Sequence, residues 1–365
     1  MDPLYYWARL TVVLVGLFLG MNAASEGADA TKQVFRAGTG IADITPTEFP
    51  TALAGGFQPI YTSEVADPLK ARALVLDDGT NRFVFLVIDN CLMPTELHEK
   101  IKDLICEQTN LKRDHICVST THCHSAPALT GVHNAIADEK YVKTLPGRAV
   151  KAVTAACANM QAVRVGWGKA REPRYVFCRR FLMKPGTAST EPSAFTGIRE
   201  DFAQMNPRHQ DPNAITRLGV PDQNVYVLAF QTLDGKPFAL FANYSTHYID
   251  RGDGRVSSAY FGVFCDRIGE LLNAPPQFMA IMSNGTSGDN NSSDYVNKPP
   301  KERKDMFKAA DDIAHAALKA WNEIQFKDWV PLRTVQSELT LKIRKPSEAD
   351  IAEAIAYLAK MKKEG

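Results

Sequence analysis

At 365 residues, 45% apolar and 23% charged, the chain is long enough for one large domain or two ordinary ones with ample core. Lysine plus arginine (42) nearly balance aspartate plus glutamate (41), leaving a formal charge of +1. That balance excludes the broad basic field that nucleic acid or an anionic membrane surface would require, so neither is expected as a general partner.

The N-terminus departs from this average. Arg9 is followed by an apolar run from Leu10 to Met21 and then by Asn22-Ala23-Ala24-Ser25. A basic residue, an apolar stretch too short to cross a bilayer comfortably and small residues beyond it describe a secretory signal peptide. Residues 1–25 are expected to be removed and residues 26–35 to form a short leader. The mature protein is then secreted or periplasmic, with an uncleaved N-terminal anchor as the alternative. The seven cysteines, an odd number without a Cys-x-x-Cys, argue against both a disulfide framework and a zinc finger.

Residues 37–45 read as a strand closed by Pro46, and Gly55-Gly56 and Pro59 as loop. The runs 71–76 and 82–88, joined through Asp77-Asp78-Gly79-Thr80, predict a β-hairpin. Leu97, Ile101, Leu104 and Ile105 then recur at helical spacing and predict a helix over 94–108. A strand at 116–118 completes a strand–helix–strand unit of parallel sense. It opens into Thr121-His122-Cys123-His124-Ser125-Ala126-Pro127. Histidines at i and i+2 of an extended chain face the same side, and neutral imidazole is a common metal ligand.

A helix over 138–160 follows, with Pro146 expected to kink or split it, and then a strand at 163–168. Phe177-Cys178-Arg179-Arg180-Phe181 is less regular, and residues 185–222 lack periodicity, which predicts a functional loop or lid. The runs 225–231 and 237–243 form a second hairpin around Asp234-Gly235 and end in Asn243-Tyr244-Ser245-Thr246-His247. A helix at 261–272 leads to a strand at 278–282. This opens into Ser283-Asn284-Gly285-Thr286-Ser287-Gly288-Asp289-Asn290-Asn291-Ser292-Ser293, a loop with little side-chain bulk whose amides could approach a ligand closely. Helices at 300–323 and 346–363 flank a strand at 334–343. No internal repeat at a fixed period is visible.

The fold class expected is α/β: a mixed β-sheet core with flanking helices and active-site loops at the C-terminal ends of strands. If the strands ending in His122/His124, His247 and the 283–293 loop are neighbours, their loops share one edge. Histidines from separate loops would then hold a zinc ion with a position left for water. A further histidine and an arginine would stabilise charge developing on a carbonyl oxygen.

Gly40-Ile41-Ala42-Asp43-Ile44-Thr45-Pro46, Asp67-Pro68 before Ala71-Arg72-Ala73, Thr121 to Pro127, Asn243 to His247 and the Asn284 to Asn291 loop occur in that order. Together they resemble the neutral/alkaline (non-lysosomal) ceramidase family, specifically its N-terminal catalytic domain, from about Arg36 to Ser293. The resemblance implies a zinc-dependent amidase that cleaves the N-acyl bond of ceramide or a related lipid-like substrate, with peripheral membrane contact through that substrate. It implies Zn2+ on His122 and His247, with His124 and Arg179 acting on the substrate or transition state. Cys178 stands where the family has the asparagine of an Asn-Arg pair. Gly288 and Asp289 match the substrate-binding part of the family's Gly-Asp-x-Ser-Pro loop, and Asn291 stands where the family has its serine, with Ser292 next to it. The family adds a glutamate and a tyrosine to the metal from a later segment, and nothing after Ser293 resembles that segment. The expectation is therefore a domain over 36–365 that is C-terminally shortened, with an under-liganded metal pocket. A catalytically silent binding protein on this scaffold and a metal-dependent phosphoesterase are the other readings.

Overall fold

The computed structural model describes residues 33–56, 60–131, 135–188, 202–299, 305–343 and 345–364. The signal-peptide expectation and most of the leader lie outside these residues.

Eight strands form one mixed sheet, flanked by helices, as the α/β reading anticipates. Across the sheet the order is Met279–Asn284, Pro237–Tyr244, Asn224–Thr232, Gln161–Arg171, Arg36–Asp43, Lys70–Asp77, Arg82–Ile88 and Ile116–Thr120. The outermost pair at each end is parallel and every interior pair is antiparallel. Each parallel pair needs a crossover, and each has a helix there. Helix α1 (Thr95–Gln108) links 82–88 to 116–120, and α3 (Ala259–Leu271) links 237–244 to 279–284; α2 (Glu139–Ala158) and α4 (Met306–Asn322) each follow the second parallel strand.

The order of elements thus occurs twice, although no sequence period announces it. A strand, a hairpin closed by an Asp-Gly turn, a helix, a parallel strand and a second helix run from 36 to 158 and again from 161 to 322. The halves meet where Arg36 and Ala37 pair with Ala162 and Gln161. Topology, not residue identity, carries the repeat, so a search for a sequence period misses it.

Alternation along the strands separates two apolar layers. Ala71, Ala73, Val75, Val84, Leu86, Ile88, Leu240 and Ala242 face the helices in one large core. Leu74, Leu76, Val87, Val163, Val165, Phe230, Ala239 and Ile281 fill the opposite face. There the sheet curls so far that Phe85 and Phe241, from opposite halves, bring their rings to 4.8 Å. Gly40 shows why the first strand needs glycine: a Cβ there would lie 2.0 Å from the Ala152 carbonyl oxygen of α2.

Several expectations change. Helix α2 is not split at Pro146; it runs unbroken through it. The hydrogen bond lost at proline costs about 3 kcal/mol, whereas Tyr141, Leu145, Val150 and Val153 are each buried, at about 1.5–3 kcal/mol per large side chain. Helix α4 starts at Met306, because Asp305 caps it through the Phe307 amide at 2.8 Å. Residues 300–304 lie outside the described residues. The strand expected at 334–343 is absent from the described residues. Its alternation is real, but nothing described pairs with it, and Val335, Leu339, Leu341 and Ile343 are 79–96% exposed. The segment 185–222 is not wholly irregular: Ala203–Met205 and Ala214–Arg217 flank Arg180–Met183 in a small antiparallel sheet. Residues 189–201 of that segment lie outside the described residues. The last helix, α5, spans Glu348–Glu364.

Candidate active site

The strand 116–120 ends one residue before the histidine stretch, and the chain turns at His122 with φ of 65°. The two histidines therefore do not face together through strand alternation, as the spacing suggested. His122 sits in the left-handed region, which costs a non-glycine residue of order 1 kcal/mol. The bonds around it offset that cost. The Thr121 amide donates to the Ile88 carbonyl (3.0 Å), the Cys123 amide to the Asn90 carbonyl (3.1 Å), and His122 Nδ1 to the Cys91 carbonyl (2.8 Å).

The other side of this loop is tied to the second half of the molecule. Cys123 Sγ donates to the Ser257 carbonyl (2.8 Å), and the Ser257 amide to the Ser125 carbonyl (3.1 Å). Asp67 accepts from Ser257 Oγ (2.7 Å) and from the Ser258 amide (2.6 Å) at the start of α3. The Asp-Pro motif is thus a clasp between halves.

His247 follows the strand 237–244, and its Nδ1 donates to the Ser287 carbonyl (2.9 Å). The next two carbonyls of that loop hold Arg179: Gly288 accepts from Nε and an η nitrogen (3.2 and 2.7 Å), and Asp289 accepts from the backbone amide (2.8 Å). Residues 290–291 pair with Phe177–Cys178, which fixes the loop against the strand that ends just before Arg179. The loop was expected to offer amides to a ligand. Its carbonyls at Ser287, Gly288 and Asp289 instead orient His247 and Arg179.

Three imidazoles meet. His122 Nε2 lies 3.1 Å from His247 Nε2 and 3.1 Å from His124 Nε2. The bonds at Nδ1 assign His122 and His247 the tautomer that leaves a lone pair on Nε2. Burial pushes all three rings toward the neutral form. His247 is brought down to about 4, chiefly by burial, and His124 to about 3 by burial and then by the other two histidines; His122 is lowered by burial, and Arg179 adds to the effect on each. Two neutral lone pairs facing each other at 3.1 Å repel unless a cation lies between them, and the rings do not supply the proton. The donor set fits a divalent metal of the zinc type, whose bonds to imidazole are about 2 Å. His124 differs: its Nδ1 is buried without a partner of good hydrogen-bond geometry, although the Gly55 backbone lies close enough to favour the proton.

Cys91 is a further metal-capable neighbour, its ligand atom lying within 4.8 Å of those of His122 and His124. Its sulfur is 3.8 Å from His122 Nδ1, the nitrogen already committed to a carbonyl, so the thiol sits behind the ring. Burial also pushes that thiol up to about 12. The carboxylates considered from the sequence are engaged elsewhere: Asp43 accepts from the Thr45 amide (2.7 Å), Asp89 from Arg72 (2.9 Å) and Asp250 from Ser125 Oγ (3.3 Å). Asn291 turns its carboxamide to Tyr295 Oη (3.3 Å) and the Ser293 amide (3.2 Å), and Ser292 follows in a bend. Cys178 is buried and directs its sulfur to the Arg180 carbonyl (3.5 Å). Sequence reasoning missed Cys91, Tyr248 and Gly55 as neighbours of the histidines. The position of Cys91 just past a strand end, and of Tyr248 beside His247, were the available signals.

Residues 35–171 match the family model of the neutral/alkaline non-lysosomal ceramidases, N-terminal. The chain is 25% identical over 237 residues to neutral ceramidase B of Dictyostelium discoideum, covering 62% of this chain and 29% of that protein. Two solved structures share the fold. Neutral ceramidase from Pseudomonas aeruginosa superposes with a TM-score of 0.60 at 18% identity, over 80% of this chain and 45% of that one. A ceramidase complexed with C2 gives 0.63 at 16% identity, over 80% and 44%. The chain spans less than half the length of each of these relatives. Residues 35–171 are thus similar to the N-terminal domain of the neutral/alkaline non-lysosomal ceramidases, and the motif order and the shared fold agree with that similarity.

Proposed function

We propose that this chain is a zinc-dependent amidohydrolase acting on the N-acyl bond of ceramide or a related N-acylated lipid. The observation that carries the reading is the convergence of His122, His124 and His247, two of them locked with lone pairs facing one point, beside the fixed cation of Arg179. His122 and His247 would hold zinc, which supplies Lewis acidity toward the amide carbonyl and the attacking water. His124, whose Nδ1 has no partner of good hydrogen-bond geometry, can keep its proton on Nε2 and donate a hydrogen bond from it to the carbonyl oxygen as charge develops. Arg179, oriented by the Gly288 and Asp289 carbonyls, faces that charge. Gly288 and Asp289 themselves are exposed at the rim, where they would meet substrate. A carboxamide at Asn291 is no nucleophile, so water is the attacking group, with Ser292 the alternative. No helix among the described residues is long and apolar enough to cross a membrane. Export rests on the pattern of Arg9 and Leu10 to Met21, and contact with a membrane on the lipid nature of the substrate.

The test is zinc analysis of purified protein, followed by assay of a fluorescent ceramide beside an aryl phosphate. Zinc-dependent release of fatty acid is the expected result. Hydrolysis of the phosphate alone would replace the reading with a phosphoesterase. Bound metal without turnover of either would favour a silent binding protein, as the asparagine at 291 allows.

A further inference from the structure

We propose that Gly55 and Tyr248 form a steric clamp that fixes the ring plane of His124, making them positioning residues for the reaction inferred above, on which their catalytic consequence rests. His122 and His247 are each oriented by a hydrogen bond from Nδ1 to a backbone carbonyl, whereas the buried Nδ1 of His124 has no such bond. Something else must set its ring. The Tyr248 ring lies face to face with it, centroids 3.8 Å apart and planes within 16°. On the backbone side is Gly55: a Cβ there would lie 2.3 Å from His124 Cβ, 2.7 Å from its carbonyl oxygen and 2.8 Å from Cγ.

Gly55 is delivered to that place by pairing. The Ala54 amide donates to the Ala126 carbonyl (3.0 Å) and the Ala128 amide to the Ala52 carbonyl (2.8 Å), so the segment after residues 51–53 runs beside the histidine loop. Held between a backbone without a side chain and an aromatic face, the His124 ring can slide little and turn less. Its Nε2 therefore stays at 3.1 Å from His122 Nε2 without a hydrogen bond to spend on orientation. Nδ1 has the Gly55 backbone nearby but no partner of good hydrogen-bond geometry, so its proton is less firmly held there than in His122 and His247, and Nε2 can carry it. The clamp orients His124 while keeping it a donor.

The test uses full-length, zinc-loaded protein with isotope-labelled histidine. Stacking under Tyr248 should displace the His124 ring-proton resonances upfield of those of His122. Tyr248→Leu should abolish the displacement, keep zinc stoichiometry and lower kcat about a hundredfold with KM little changed, the size of loss expected when a catalytic group is misplaced by about 1 Å. Tyr248→Phe should restore both the shift and most of the turnover. Gly55→Ala should move the same resonances, because its Cβ has no room. An undisplaced His124 signal in the wild type would overturn the clamp whatever the activity, and this readout survives if Tyr248→Leu fails to fold. A Tyr248→Leu protein that loses the shift but keeps full kcat would overturn the positioning role. A wild type with the shift but no amidase activity would refute the functional reading and leave the clamp standing.

Discussion

Arg72 and Asp89 are expected to reveal how the scaffold under the histidine loop is held. Arg72 is 5% exposed and Asp89 fully buried, and they form an ion pair at 2.9 Å. At that separation the attraction is about 6 kcal/mol for an effective dielectric of about 20, and the cost of taking both ions out of water is of similar size. The intact pair is therefore near break-even. Losing one partner is not. Arg72→Met leaves Asp89 with the Lys70 amide (2.9 Å) on one oxygen and nothing on the other. The expected cost is about 3–5 kcal/mol. Burial pushes the Asp89 carboxyl up, and Arg72 is the largest of the groups that pull it down, so the variant keeps the upward push with Lys70 opposing it. The penalty should accordingly be smallest in acid, where the carboxyl is protonated in both states, and grow as pH rises above its ordinary value of 3.8. Urea unfolding followed by tryptophan fluorescence at several pH values measures this. The double variant Arg72→Met, Asp89→Leu should recover most of the loss at neutral pH. A single-variant cost under about 1 kcal/mol, or a double variant no better than the single, would refute the reasoning.

Gly40→Val should lower stability by about 1–3 kcal/mol or more, read as a fall in Tm, because its side chain meets the backbone of α2. Zinc content of the folded fraction should not change. His122→Ala and His247→Ala should each weaken zinc binding by more than the roughly 10–100-fold that loss of an outer partner costs, while His124→Ala keeps the metal and slows turnover; equal metal loss in all three variants, by competition with a chelating dye, would make His124 a ligand. For Asp78, burial works against the charge but the Asn81, Leu332 and Thr80 amides outweigh it and hold the carboxyl below its ordinary value. Its contribution to stability is present above pH 3.8 and lost as pH falls through the depressed value, so acid unfolding of Asp78→Asn should be flatter in that window.

The sequence disclosed the parts of this fold that rest on local pattern. Both hairpins were legible because an Asp-Gly turn interrupts alternating apolar runs, and α1 because its apolar residues recur at helical spacing. The 334–343 segment shows the limit. Its alternation satisfies the local rule for a strand, but a strand also requires a neighbour, which no local pattern encodes. At the site, residue types at strand ends exposed His122, His124 and His247. Their backbone supports were hidden, because a carbonyl belongs to every residue and only the fold shows that those of Cys91 and Ser287 are aimed at imidazoles. Gly55 was visible as one of a glycine pair. That its missing side chain makes room for a histidine almost seventy residues away depends on the pairing of 52–54 with 126–128.

The repeated topology gives the site an order that neither half shows separately. In each half, two loops leave the carboxyl ends of the third and fourth strands. In the first half the fourth strand supplies the histidine, His122, and the loop after the third supplies the carbonyl of Cys91 that locks it. In the second half the third strand supplies His247, and the loop after the fourth supplies the carbonyl of Ser287. The same pair of loops does the same job with the roles exchanged. The strands concerned lie toward opposite ends of the sheet order, so adjacency cannot bring the histidines together, as a neighbour-strand argument would require. The curl that joins Phe85 to Phe241 does. Once the sheet closes in this way, two imidazoles, each fixed from within its own half, bring lone pairs to one point. A cation there would bind the halves as well as serve the chemistry. Chelation should therefore lower the unfolding temperature of the whole sheet, and the His247→Ala protein should show little of that response.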